Sequence, residues 1–112
     1  MRKLIYAGTT FYTGDRLAAA LLEYASALAQ NGTAQTVVIP AVSDSGEHGD
    51  FELVIGPASQ LVSEPAHIDW PEIVDDALAE HLEQETSSLA PSRPELGPEE
   101  RDGTWGDDYL GN

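Results

Sequence analysis

The sequence predicts an α+β fold, a two-layer β-α-β-β-α sandwich in which two helices pack on one face of a small mixed sheet. Three observations carry that expectation: a helical repeat of apolar residues over 16–30, a β-branched run over 36–39, and a second helical repeat after Ile68 whose outer face is acidic. At 112 residues there is room for one hydrophobic core. The pattern places a compact α/β domain at 1–89 and an acidic, flexible tail at 90–112, where Pro91, Pro94, Gly97, Pro98 and Gly103 interrupt a charged stretch without periodicity.

The first strand is expected over residues 3–7, with Ile5 and Tyr6 as its β-favouring members and Gly8 as its end. Residues 9–14 read as the approach to a helix that Thr13 or Asp15 can cap. Within that helix Leu17, Leu21, Tyr24 and Leu28 recur at spacings of four, three and four, so they share one face; the alanines between them favour helix, and Asn31-Gly32 ends it. This helix is expected to make a right-handed crossover between the first two strands.

Thr36-Val37-Val38-Ile39 is the strongest strand signal. Pro40 cannot donate a ladder hydrogen bond, which predicts an edge, a bulge or a strand end there. The polar residues 43–50 then connect to a return strand over 51–55, and residues 60–63 form either a fourth short strand or a covering loop. For the second helix the start signal is Asp69 with Glu72 as a capping box, Pro71 in the first turn and a staple between Ile68 and Ile73. Its apolar side is expected to carry Trp70, Ile73, Val74, Ala77, Leu78 and Leu82, and the helix to fade by Ser87 or Ser88.

Charge is the strongest compositional signal. The formal net charge is −15, from 20 acidic residues against five Lys or Arg, and it is unevenly spread. Residues 1–63 hold six acids and three Lys or Arg, residues 64–89 hold eight acids and neither base, and residues 90–112 hold six acids and two arginines. Such a surface repels nucleic-acid phosphates and anionic membranes and attracts basic proteins or cations, so neither a direct nucleic-acid partner nor a membrane is expected. Acid enrichment across a whole proteome gives the same composition without any specific partner. The chain has no cysteine, which excludes thiolate catalysis, disulfides and zinc-thiolate sites. Apolar runs are only a few residues long, and a cytoplasmic location is expected.

No catalytic signature emerges. Ser43, Asp44, Ser45 and His48 include the residue types of a hydrolase triad, but lie too close in sequence and lack a nucleophile-elbow context; turn formation is the simpler role. His81 and Glu85 have the spacing of two metal ligands on one helix face, yet supply fewer ligands than zinc needs. Asp44, Glu47, Asp50 and Glu52 lack the ligand order of a calcium loop. No cofactor is expected, and an enzyme, a small hydrolase or isomerase, ranks below a binding module.

The leading expectation is a small acidic protein-binding or adaptor module for a basic or partly basic protein. Its candidate binding residues are Asp76, Glu80 and Glu83 on the second helix and Asp107, Asp108, Trp105, Tyr109 and Leu110 in the tail, the last three as apolar anchors. Alternatives are an inhibitor that mimics nucleic acid on a basic surface and a structural, including viral, component. A homodimer, helix-swapped or paired through the edge near residues 37–39, is a further expectation.

Overall fold

The computed structural model describes residues 1–58 and 60–89; the tail residues Trp105, Asp107, Asp108, Tyr109 and Leu110 lie outside them. Strands β1 (Arg2–Tyr6) and β2 (Thr9–Thr13) are followed by helix α1 (Asp15–Gln30), strands β3 (Gln35–Ser43), β4 (His48–Ile55) and β5 (Leu61–Pro65), and helix α2 (Asp76–Leu89). The five strands form one sheet in the order β4-β3-β2-β1-β5, with every neighbouring pair antiparallel. The α+β class holds, and the expected β-α-β-β-α order is present in β1, α1, β3, β4 and α2.

The sheet is antiparallel rather than mixed because β2 inserts between β1 and β3. Both of those strands run antiparallel to β2 and therefore parallel to each other, without being neighbours. Residues 9–13, expected as a helix approach, instead turn back on β1 through Ala7 and Gly8, whose φ angles of 52° and 79° are both left-handed. Two successive positive φ angles are the geometry that matches the twist of a two-residue hairpin. Residues 61–65 are the optional further strand, paired to the outer edge of β1.

Helix α1 turns Leu17, Leu21, Tyr24 and Leu28 inward, as their spacing predicts, onto a core that includes Leu4, Phe11, Ile39 and Ile55. Its first turn is capped from a distance. Neither Thr13 nor Asp15 serves; Gly14 is the N-cap, and the Glu72 carboxylate accepts from the Asp15 amide at 2.6 Å. Glu72 also accepts from the Met1 ammonium at 2.6 Å, and that ammonium lies 3.0 Å from Asp15.

The same engagement explains why α2 starts later than the capping-box pattern predicts. With Glu72 committed to α1 and Trp70 packed edge-on against Tyr12 at 5.2 Å, the chain crosses from β5 to α2 without regular structure, and the helix begins at Asp76. Asp75 caps it, accepting from the Leu78 amide at 3.1 Å. The inward residues of α2 are accordingly Ala79 and Leu82, while Val74 is exposed.

The sheet is coiled. Phe11 of β2 stacks on Phe51 of β4 at 5.0 Å, and the Tyr6 hydroxyl of β1 donates to the Val54 carbonyl of β4. The second contact spans three strand spacings, about 14 Å in a flat sheet, beyond the reach of a tyrosine side chain. The loop between β3 and β4 is a compact turn: the Gly46 amide donates to the Ser43 carbonyl at 2.9 Å and the Glu47 amide to Ser43 Oγ at 3.1 Å. Asp44 accepts from the Tyr12 hydroxyl at 3.1 Å. No helix among the described residues is long and apolar enough to cross a membrane.

Candidate binding groove

Strand β3 is paired over residues 35–42 on one side, toward β4, and over far less of its length on the other. Toward β4 the register is continuous from Gln35 opposite Ile55 to Val42 opposite His48, with no bulge. Toward β2 it consists of two pairs, Phe11 with Ser43 and Tyr12 with Val42. The chain leaves the sheet after Thr13 to enter α1, so among the described residues no strand lies beside residues 35–39 on that side. Pro40 marks the limit, and its carbonyl accepts from Thr13 Oγ1 at 2.8 Å.

That hydrogen bond fixes which backbone groups face the open side. The N–H and C=O of one strand residue point to the same neighbour, and those of the next residue to the opposite one. Because the Pro40 carbonyl faces β2, the amides and carbonyls of Val38 and Thr36 face the same way, while those of Val37 and Ile39 face β4. No hydrogen bond to the outward groups of Thr36 and Val38 occurs among the described residues.

Helix α2 lies across the gap and leaves a groove of about 430 Å³, in which residues 35–38 form one wall and Leu78, His81, Leu82 and Glu85 the other. The helix residues at 78, 81, 82 and 85 fall on one face because their spacings are three, one and three. Tyr24 of α1, Val37 and Leu82 are buried and form an apolar floor. Thr36, Val38, His81 and Glu85 are exposed and form the rim, with Val38 47% accessible. Burial, and then the negative charge of Glu85, raise the Tyr24 phenol above its ordinary pKa; the carboxylate thus acts on the floor of the groove as well as its rim. Among the described residues no Lys or Arg lines it. The three in residues 1–89 are Lys3 in β1, Arg2, which donates to Ser63, and Arg16, which is paired with α2.

Other parts of the fold hold the helix at this distance. Arg16 donates to Asp76 at 3.1 Å and to both Glu83 oxygens at 3.0 and 3.2 Å. The hydrogen bond from Arg16 lowers the Glu83 pKa below its ordinary range. At the other end the Asn31 side-chain amide donates to the Ala27 carbonyl of α1 and the Leu89 carbonyl of α2, at 2.9 and 3.1 Å.

Of the acidic residues singled out from the sequence, Asp76 and Glu83 therefore face α1 and brace the two helices, and Glu80 is exposed outside the groove. Glu85 and His81, weighed from the sequence as a metal pair, are instead the rim of the groove; no group of three or more His, Asp or Glu side chains is placed to hold a metal among the described residues. The sequence signal for the groove was Pro40, which reads as an edge, but the missing strand partner and the position of α2 are properties of the folded chain. Comparison with protein-family models, with curated proteins and with solved structures finds no match.

Proposed function

We propose that the chain is a non-enzymatic protein-binding module that holds a basic segment of a partner protein in the groove between α2 and β3. The observation that carries this reading is an apolar floor of Tyr24, Val37 and Leu82 rimmed by Glu85, with no Lys or Arg among the described residues that line it. Burial of partner side chains against the floor supplies affinity, while the carboxylates of residues 64–89 raise the encounter rate and disfavour acidic competitors. The adaptor role and the basic character of the partner both rest on this charge and shape. A nucleic-acid mimic is less well supported, since two of the α2 carboxylates, Asp76 and Glu83, are occupied by Arg16.

The test is a fluorescence-anisotropy titration of the full chain with two labelled peptides of equal length, one of alternating lysine and valine, the other of alternating glutamate and valine. The lysine peptide is expected to bind, to weaken as salt rises, and to weaken at least several-fold against Glu85→Lys. Equal binding of both peptides, or of neither, removes the reading.

A further inference from the structure

We infer that the groove takes its partner as an added antiparallel β-strand, anchored on the backbone of Thr36 and Val38, and therefore selects an extended segment in which basic and apolar residues alternate. This rests on the proposed binding function and specifies how the same groove reads its partner.

The geometry that points to strand addition is the unpaired edge. Residues 35–38, of both side-chain parities, line the groove together, which happens when the edge of a strand rather than one of its faces forms the wall. From residue 35 to residue 39 the free edge is four steps of about 3.3 Å, roughly 13 Å in all. It offers two donors and two acceptors, from Thr36 and Val38, at the two-residue interval of a β ladder. The next outward-facing residue, Pro40, has no N–H, and its carbonyl is already used by Thr13. An added segment thus lies in line with β2, whose place beside β3 it continues, and ends where the β2 pairing begins.

Antiparallel addition fixes the pattern of side chains. Partner residues opposite Thr36 and Val38 exchange hydrogen bonds with them and share their face, which is exposed to solvent. The partner residue between them turns its side chain to the face of Val37, over Tyr24 and Leu82. The outer positions, facing solvent in the field of a chain of net charge −15, suit Lys or Arg, and the inner position suits a Val, Ile or Leu. A helical or compact partner surface cannot satisfy the two backbone pairs. A second copy of this chain carries the same net charge of −15 and is electrostatically disfavoured.

The experiment uses the full chain and the alternating lysine–valine peptide in three forms: unmodified, methylated on every lysine backbone nitrogen, and methylated on every valine backbone nitrogen. In the antiparallel register the lysine amides face β3, so their methylation is expected to weaken binding tenfold or more, about one hydrogen bond for each factor of ten. Methylation of the valine amides, which face away from β3, is expected to change affinity less than threefold or so on the same scale. Equal effects of the two methylations overturn strand addition even if the unmodified peptide binds, and the reverse ranking overturns the antiparallel register. Amide exchange in the free chain provides a second check. Thr36 and Val38 are expected to exchange quickly, Val37 and Ile39 slowly, and the peptide to protect the first two. Protection of Thr36 and Val38 before peptide is added shows that residues of the chain itself, or of a second copy if it grows with concentration, already fill the edge, and overturns the proposal.

Discussion

Substituting Gly14 by Ala adds one methyl group at the point where the segment leading into α2 crosses the start of α1. A Cβ built there lies 1.8 Å from the Ile73 carbonyl oxygen, 3.0 Å from its carbon and 3.2 Å from Glu72 Oε2. Ordinary contact begins near 3.4 Å, so the Ile73 backbone must retreat by about 1.6 Å. Overpacking of this kind costs about 1–3 kcal/mol, and displacing Glu72 from the Asp15 amide removes a helix cap worth about 1 kcal/mol. The expected loss is about 2–4 kcal/mol, or roughly 10–25 °C in Tm for a domain of this size. The backbone at Gly14 is ordinary, with φ at −65°, so the cost is one of space alone. Urea unfolding followed by circular dichroism and by tryptophan fluorescence measures it. Two controls separate space from backbone conformation. Gly49→Ala has nothing within 4 Å and is expected to stay within about 0.5 kcal/mol of the parent. Gly32→Ala also has open space, but its φ of +67° makes it about 1 kcal/mol less stable. A Gly14→Ala loss below about 1 kcal/mol, equal to or smaller than that of Gly32→Ala, refutes the close approach of the two segments.

Two further predictions concern pH. Glu83 is held below its ordinary pKa by the hydrogen bond from Arg16, so its contribution to stability is present above the ordinary carboxylate range and disappears as pH falls through the lowered value. Arg16→Gln is expected to flatten the acid side of the stability curve; an unchanged acid limb in urea melts across pH refutes the brace. Tyr12 is raised by burial and by its hydrogen bond to Asp44, and Tyr24 by burial and then by Glu85. Their stabilisation is complete below the ordinary phenol range and is lost as pH rises through the raised values. Phenolate absorbance from these two side chains is expected to appear together with unfolding, and a separate earlier transition in a folded chain contradicts their burial.

What the sequence revealed of this fold was what local chemistry decides. The spacing of Leu17, Leu21, Tyr24 and Leu28 placed α1 and its buried face, and residues 36–39 with Pro40 placed β3 and hinted at an incomplete edge. Strand β2 was hidden because Ala7-Gly8 lacks the Asn-Gly or Asp-Gly signature of a two-residue hairpin, although Ala7 adopts the left-handed conformation all the same. The start of α2 was displaced because the Asp69 and Glu72 pattern is a local rule, whereas Glu72 is used by residues nearly sixty positions away. The groove depends on where β2 stops relative to β3 and on the reach of Arg16 to Asp76 and Glu83, relations that no window of sequence contains. Acidity did identify α2 as the charged element, but assigned to solvent and partners two carboxylates that the fold uses internally.

The two-pair junction between β2 and β3 has a consequence for how the chain assembles and comes apart. The β1–β2 and β3–β4 hairpins close over loops of two and four residues, events of about 1–10 μs. Joining Phe11 to Ser43 instead requires closure of the whole intervening stretch that contains α1, a far more non-local step. The sheet is therefore two locally closed hairpins joined through a two-pair junction, and native-state amide exchange is expected to show that junction opening at a lower free energy than the β3–β4 ladder. A strand laid along residues 35–39 would extend the sheet where β3 has least pairing on the β2 side, so an occupant of the groove is expected to add stability at that junction.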